Sequence, residues 1–92
     1  MDEEKFTVYI HPRIEKDLDK IPDHVRNKFR GLIEALKFWA VPKFFDIVKL
    51  KGTGSLDAFR VRFGDYRVIY VVDWDRREIK VLRLERRGKS YK

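Results

Sequence analysis

Residues 58–73 run Ala-Phe-Arg-Val-Arg-Phe, Gly-Asp, then Tyr-Arg-Val-Ile-Tyr-Val-Val-Asp, and they limit the fold more than any other stretch of this 92-residue chain. Large apolar side chains fall at every second position on both sides of Gly64-Asp65, the period of an extended strand. A two-residue link with Gly first is the type II′ pattern, so the two runs form a tight antiparallel hairpin. That turn sets the register: Phe63 opposite Tyr66, Arg62 opposite Arg67, Val61 opposite Val68. Phe59, Val61, Phe63, Tyr66, Val68, Tyr70 and Val72 then share one face, which must be buried. The opposite face carries Arg60, Arg62 and Arg67.

The N-terminal half supplies the cover. Lys5 to Ile10 alternates and is rich in β-formers, so it reads as a strand, ended by His11-Pro12. Pro12 suits a helix's first turn. Ile14, Leu18 and Ile21 lie on one helical face, and Ile21-Pro22 breaks that helix because the residue before Pro avoids the helical region. A longer helix starts near Pro22-Asp23, with Val25, Phe29, Leu32, Ile33, Leu36 and Ala40 as its apolar stripe. Gly31 inside it marks either close packing or nothing. Residues 43–57 connect, with Val48 to Lys51 as a short edge strand and residues 52–55 as a loop. After the hairpin, residues 73–77 turn into a last strand, Glu78 to Glu85. The order β-α-α-β-β-β predicts an α+β fold, an antiparallel sheet with a helical hairpin packed on one face.

A chain of this length has room for one domain, spanning residues 1–92, and for no large cofactor cleft. It has no Cys, which excludes disulfides and thiolate metal sites, and two His, which make no convincing metal site alone. No cofactor or metal is implied. The acidic start (Asp2-Glu3-Glu4) is unlike a secretory signal, and the longest apolar run, residues 68–72, is far short of a membrane span. A soluble, cytoplasmic protein is expected. With 40% charged residues, one Asn and no Gln or Cys, the composition resembles a thermophile's.

The net charge is +7, and its distribution says more than its size. Residues 1–46 hold nine basic and nine acidic side chains, whereas residues 47–92 hold thirteen and six. Such asymmetry points to a polyanion met by one part of the fold, or else to a solvated basic surface. The hairpin register sharpens the choice. Arg62 and Arg67 are directly opposed like charges, a destabilising cross-strand pair, and local rules tend to be broken at functional sites. A phosphate between the two guanidiniums turns repulsion into charge-assisted contacts. The alternative is that both splay into solvent or pair with acids such as Asp65 or Glu85.

The helical hairpin, "KLKG", "FRVRFGDYRVIYVVD" and "LRLERRGKSY" together resemble the RelE/ParE superfamily of toxins from type II toxin–antitoxin systems, the archaeal RelE-like branch nearest. The likeness runs from about Phe6 to Tyr91 and is most specific over residues 60–70. It implies a microbial-RNase-like fold, cleavage of mRNA in the ribosomal A site, and silencing by a RelB-like antitoxin that wraps the toxin, with a heterotetramer as one stoichiometry. Residue by residue, Arg60 and Arg62 stand where RelE-type members have two basic residues, and Arg67 matches the Arg of the Tyr-Arg pair. Arg87 matches the Arg after the last strand, although the usual preceding His is Arg86 here. Tyr91 matches the Tyr near the C-terminus. The implied catalytic set is Arg62, Arg67, Arg87 and Tyr91.

Arginines can stabilise a phosphorane's charge but are poor proton carriers, because they stay protonated. No His or Glu stands out as a base, so Tyr91 is the candidate by elimination; the alternative is a stacking or packing aromatic. Arg60, Arg86, Lys89, Lys49 and Lys51 are candidate RNA contacts, the two lysines with solvent as the equal alternative. His11 and His24 read as structural. Phe38, Trp39, Phe44 and Phe45 are either core packing or an apolar groove for the antitoxin. Three functions compete: a ribosome-dependent endonuclease, a ParE-like gyrase poison, and a non-catalytic RNA-binding module. The arginine cluster favours the first.

Overall fold

The computed structural model describes residues 4–86. Five strands, β1 (Thr7–Ile10), β2 (Asp46–Thr53), β3 (Leu56–Phe63), β4 (Tyr66–Asp73) and β5 (Glu78–Arg86), form one sheet in the order β1-β5-β4-β3-β2. Two helices, α1 (Pro12–Asp17) and α2 (Asp23–Leu36), separate β1 from β2, with a 3-10 turn over Leu18–Lys20 between them. Strands β2 to β5 are sequential antiparallel neighbours, as their short links dictate. β1 differs from the expected all-antiparallel pattern: it lies beside β5 and runs parallel to it. Turn length sets direction only within the hairpins. The helices carry the chain from one sheet edge to the other, and this longer connection leaves β1 free to run parallel.

The central hairpin has the predicted register, with Phe63 opposite Tyr66, Arg62 opposite Arg67 and Val61 opposite Val68. Gly64 has φ +60° and Asp65 has negative φ, as a type II′ turn requires. Gly54 at φ +58° repeats the device between β2 and β3, where Thr53 faces Leu56. β2 is therefore twice as long as the expected edge strand, and residues 52–53 belong to it rather than to a loop.

One face of the sheet meets the helices. Val61, Val68, Tyr70, Val72, Ile79 and Val81 are fully buried against Ile14, Val25, Phe29, Leu32 and Leu36. At roughly 25 cal/mol per Å² of apolar surface, each such side chain contributes about 1.5–3 kcal/mol before entropy is charged against it. Both helices start as the sequence suggests. His11 Nδ1 accepts from the backbone N–H of Arg13 at 3.1 Å, capping α1 ahead of Pro12. α2 ends at Leu36, and the carbonyl of Lys37 then accepts the N–H groups of Lys5 and Phe6 at 2.8 and 2.9 Å, which fastens the helix end to the start of β1.

Two polar contacts hold the sheet to its connections. The Tyr70 hydroxyl, at the buried centre of β4, donates to the carbonyl of Ala40 at 2.6 Å. Trp74 Nε1 donates to Asp57 Oδ2 at 2.8 Å, and Lys49 Nζ lies 3.3 Å from Asp57 Oδ1. The indole hydrogen bond and then the Lys49 ammonium hold the Asp57 carboxyl below its ordinary pKa. A Cβ on Gly52 would collide with the Asp57 carboxylate, so a larger residue there must displace that carboxylate from its partners.

Burial raises the Tyr70 phenol above its ordinary pKa of about 10. Tyr70→Phe leaves the Ala40 carbonyl without its donor and should cost about 1–3 kcal/mol, read as a fall of several degrees in melting temperature. The wild type keeps its full advantage below pH ~10 and loses it as pH rises toward the folded-state pKa. In Tyr70→Phe that alkaline loss should be absent from the stability profile. Gly31 has open space where a Cβ would stand, so Gly31→Ala should raise stability by about 0.5–1 kcal/mol in urea unfolding.

Candidate functional site

The sheet face turned away from the helices carries an ordered charge pattern. Cross-strand pairing sets Asp46 (β2), Arg62 (β3), Arg67 (β4) and Glu85 (β5) in one row. The adjacent row reads Val48, Arg60, Ile69, Arg83. The two opposed arginines are therefore flanked on either side by a carboxylate position, so the like-charge pair sits inside an acid–base–base–acid row.

The members of that row are held differently. Arg67 is largely buried, and its Nε and Nη2 lie 3.1 and 3.0 Å from Oε2 of Glu85. Arg83 Nη1 lies 3.7 Å from the other carboxylate oxygen, so Glu85 bridges two guanidiniums. Both bonds are charge-assisted and fix the Arg67 head in one orientation. Arg62 is exposed and makes no ion pair with another described residue. Arg60 lies between Val48 and Ile69, and its Nε is buried without a hydrogen-bond acceptor. The face thus combines a fixed cation, an open one, and a third with an unsatisfied donor. An unmet buried donor costs about 1–3 kcal/mol.

Arg83 escapes a reading of the sequence alone because of a bulge. Ile79 and Val81 point into the core, so unbroken alternation would turn residues 83 and 85 inward as well. The register shifts between Ile69 and Tyr70, leaving Leu82 as the extra residue on β5. Beyond it Leu84 faces the core opposite Val68, and Arg83 and Glu85 join the arginine face.

The structure does not bring every predicted contact to this face. Lys51, past a second bulge at Leu50, pairs with Ala58 on the arginine side. Lys49 pairs with Phe59 on the helix side and sits against Asp57. Arg86 pairs with Tyr66, also on the helix side, where both line a cavity with His24 and Lys28. Arg87, Lys89 and Tyr91 lie outside the described residues. Among the aromatics, Phe45 packs edge-on against Phe63, with ring centroids 5.9 Å apart, whereas Trp39 and Phe44 are exposed. His11 caps a helix, as its structural reading anticipates.

Chemically, the arginine face can bind and neutralise a phosphodiester. Its guanidiniums stay charged and are poor proton carriers, and the carboxylates of the row are Glu85, engaged by two guanidiniums, and Asp46 at the β2 end. Among the described residues no group of three or more His, Asp or Glu side chains could hold a metal ion. No described helix is long and apolar enough to cross a membrane.

Comparison with known proteins identifies the family and the fold. Residues 8–91 match the family described as the ParE toxin of the type II toxin–antitoxin system parDE. The chain is 48% identical to "Putative toxin RelE1" of Methanocaldococcus jannaschii, over 96% of its own length and 97% of the relative's. The toxin fold of the archaeal RelE–RelB complex from Pyrococcus horikoshii OT3 superposes with a TM-score of 0.84 at 42% identity, covering 92% of this chain and 98% of that one. The RelB–RelE complex from Methanococcus jannaschii gives a TM-score of 0.72 at 27% identity, covering 90% and 94%. A chain with this sheet order, this arginine face and these relatives belongs to the RelE/ParE superfamily of toxins from type II toxin–antitoxin systems.

Proposed function

We propose that this toxin is a ribosome-dependent mRNA endonuclease, restrained by a RelB-like antitoxin. One observation carries the reading: Arg60, Arg62 and Arg67 share one sheet face, on which Arg62 and Arg67 are directly opposed. A scissile phosphodiester seated there meets donors from both strands. The 2′-oxygen of the preceding ribose attacks phosphorus, the bond to the 5′-oxygen breaks as that oxygen takes up a proton from water, and a cyclic phosphate and a free 5′-hydroxyl result. Arg62 and Arg67, joined by Arg87, neutralise the charge that accumulates on the phosphorane. Preorganised donors of this kind are worth about 10²–10³-fold each, and Glu85 preorganises Arg67.

Tyr91 takes the proton from the 2′-hydroxyl. Arg60, Lys51 and Lys89 contact the RNA around that centre, whereas Lys49 and Arg86 lie on the helix side of the sheet and stand apart from it. An arginine nest with a tyrosine base is a slow catalyst for free RNA and needs a substrate already held in position, which the ribosome supplies. The antitoxin follows from the relatives: the Pyrococcus and Methanococcus toxins are seen in RelE–RelB complexes. The family also includes ParE-described toxins, so gyrase poisoning is the second reading. It leaves the opposed arginines without a role.

On programmed ribosomes, Arg62→Ala and Arg67→Ala should each lower mRNA cleavage about 10²–10³-fold, measured by mapping mRNA ends. Tyr91→Phe should lower it at least about tenfold with RNA affinity unchanged. Intact mRNA together with inhibited gyrase supercoiling would establish the second reading instead.

A further inference from the structure

A cavity of about 420 Å³ opens on the helix side of the sheet, between the start of α2 and the β3–β4 turn. Its walls include His24 and Lys28, which are one turn apart on α2, the rings of Phe63 and Tyr66, and Arg86 at the end of β5. His24, Lys28 and Arg86 are exposed, and their side chains make no hydrogen bond or ion pair with another described residue. Among the described residues, Asp65 is the one acid lining the space. α2 begins here without a side-chain cap, so its first N–H groups add partial positive charge. The volume lies within the range of small-ligand sites, and apolar walls with a few convergent cations suit a nucleotide unit.

The cavity and the arginine face share a rim. Phe63 and Tyr66 are the immediate chain neighbours of Arg62 and Arg67, and only the Gly64-Asp65 turn separates the two surfaces. Arg62 is two residues, or about 7 Å, from the turn. Gly64 presents no side chain, and the space where a Cβ would stand is open. A strand lying on the arginines can therefore pass over the turn at close range.

We propose that this cavity is a second phosphate subsite, taking a backbone phosphate of the same RNA strand that the arginine face holds. The inference rests on the endonuclease reading and deepens it: the toxin grips its RNA on both sides of the β3–β4 turn. RNA is favoured over an acidic peptide because the subsite continues the arginine face around one bare turn and offers aromatic walls beside its cations.

The test uses the full chain and a fluorescein-labelled, unstructured 12-nucleotide RNA in an anisotropy titration. The double variant Lys28→Gln/Arg86→Gln should bind about tenfold more weakly at low salt. Its log–log salt slope should be shallower by about 1.4, the value for two phosphate contacts to single-stranded RNA. Lys28→Arg/Arg86→Lys should retain wild-type affinity, and an unchanged melting temperature separates lost contacts from lost folding. Arg62→Gln should weaken binding additively with the double variant, as for separate subsites. If Arg62→Gln loses affinity while the double variant keeps wild-type affinity and slope, the subsite is wrong and the arginine face stands. If neither variant loses affinity, both are wrong. If the double variant binds RNA normally but no longer binds inorganic phosphate or the antitoxin, the cavity serves a free anion or a protein and the proposal fails.

Discussion

The pairing of β3 with β4 across Gly64-Asp65 is the constraint on which the rest of this toxin depends. Because side chains alternate, a register that buries Val61 against Val68 and Phe59 against Tyr70 must also bring Arg62 opposite Arg67 on the other side. The core and the candidate site are thus two faces of one decision. A slip of one residue would expose the apolar set and scatter the arginines together. The Tyr70 hydroxyl bond to Ala40 ties the buried face of the same hairpin to the chain beyond α2, so the helices and the register hold each other.

The arginine row shows how a fold carries like charges that it does not neutralise fully. Glu85 takes Arg67, and through its second oxygen approaches Arg83, which lowers the cost of the opposed pair and orients one guanidinium. Arg62 keeps its head exposed, and Arg60 keeps a donor unmet. A site meant only to be stable would pair all three. A surface able to bind a phosphodiester keeps at least one cation accessible, as Arg62 is, at a cost in the free protein that binding would offset.

Much of this was legible in the sequence because it follows from local rules. The type II′ turn, the hairpin register, the Ile21-Pro22 break and the buried stripe of α2 all rest on contacts within a few residues. What was hidden depends on longer range. The parallel pairing of β1 with β5 is set by packing across the sheet, not by any turn. The bulges at Leu50 and Leu82 reverse the faces that follow them, which is why Lys49 and Lys51 fall on opposite sides and why Arg83 and Glu85 reach the arginines. Arg86, beyond the second bulge, turns to the helix side for the same reason. The long β2 was underestimated because its outer residues lie at a sheet edge and lack the apolar alternation that reveals a strand.

If Arg62 is kept for RNA rather than for folding, a paired measurement on Arg62→Ala separates the two roles. Unfolding free energy is measured without nucleic acid at low salt, and single-stranded RNA affinity is measured in the same buffer. Removing one of two opposed like charges should leave the free protein as stable as wild type or up to about 1 kcal/mol more stable, while RNA affinity falls. A variant that is clearly less stable and binds RNA as well as wild type would contradict the account.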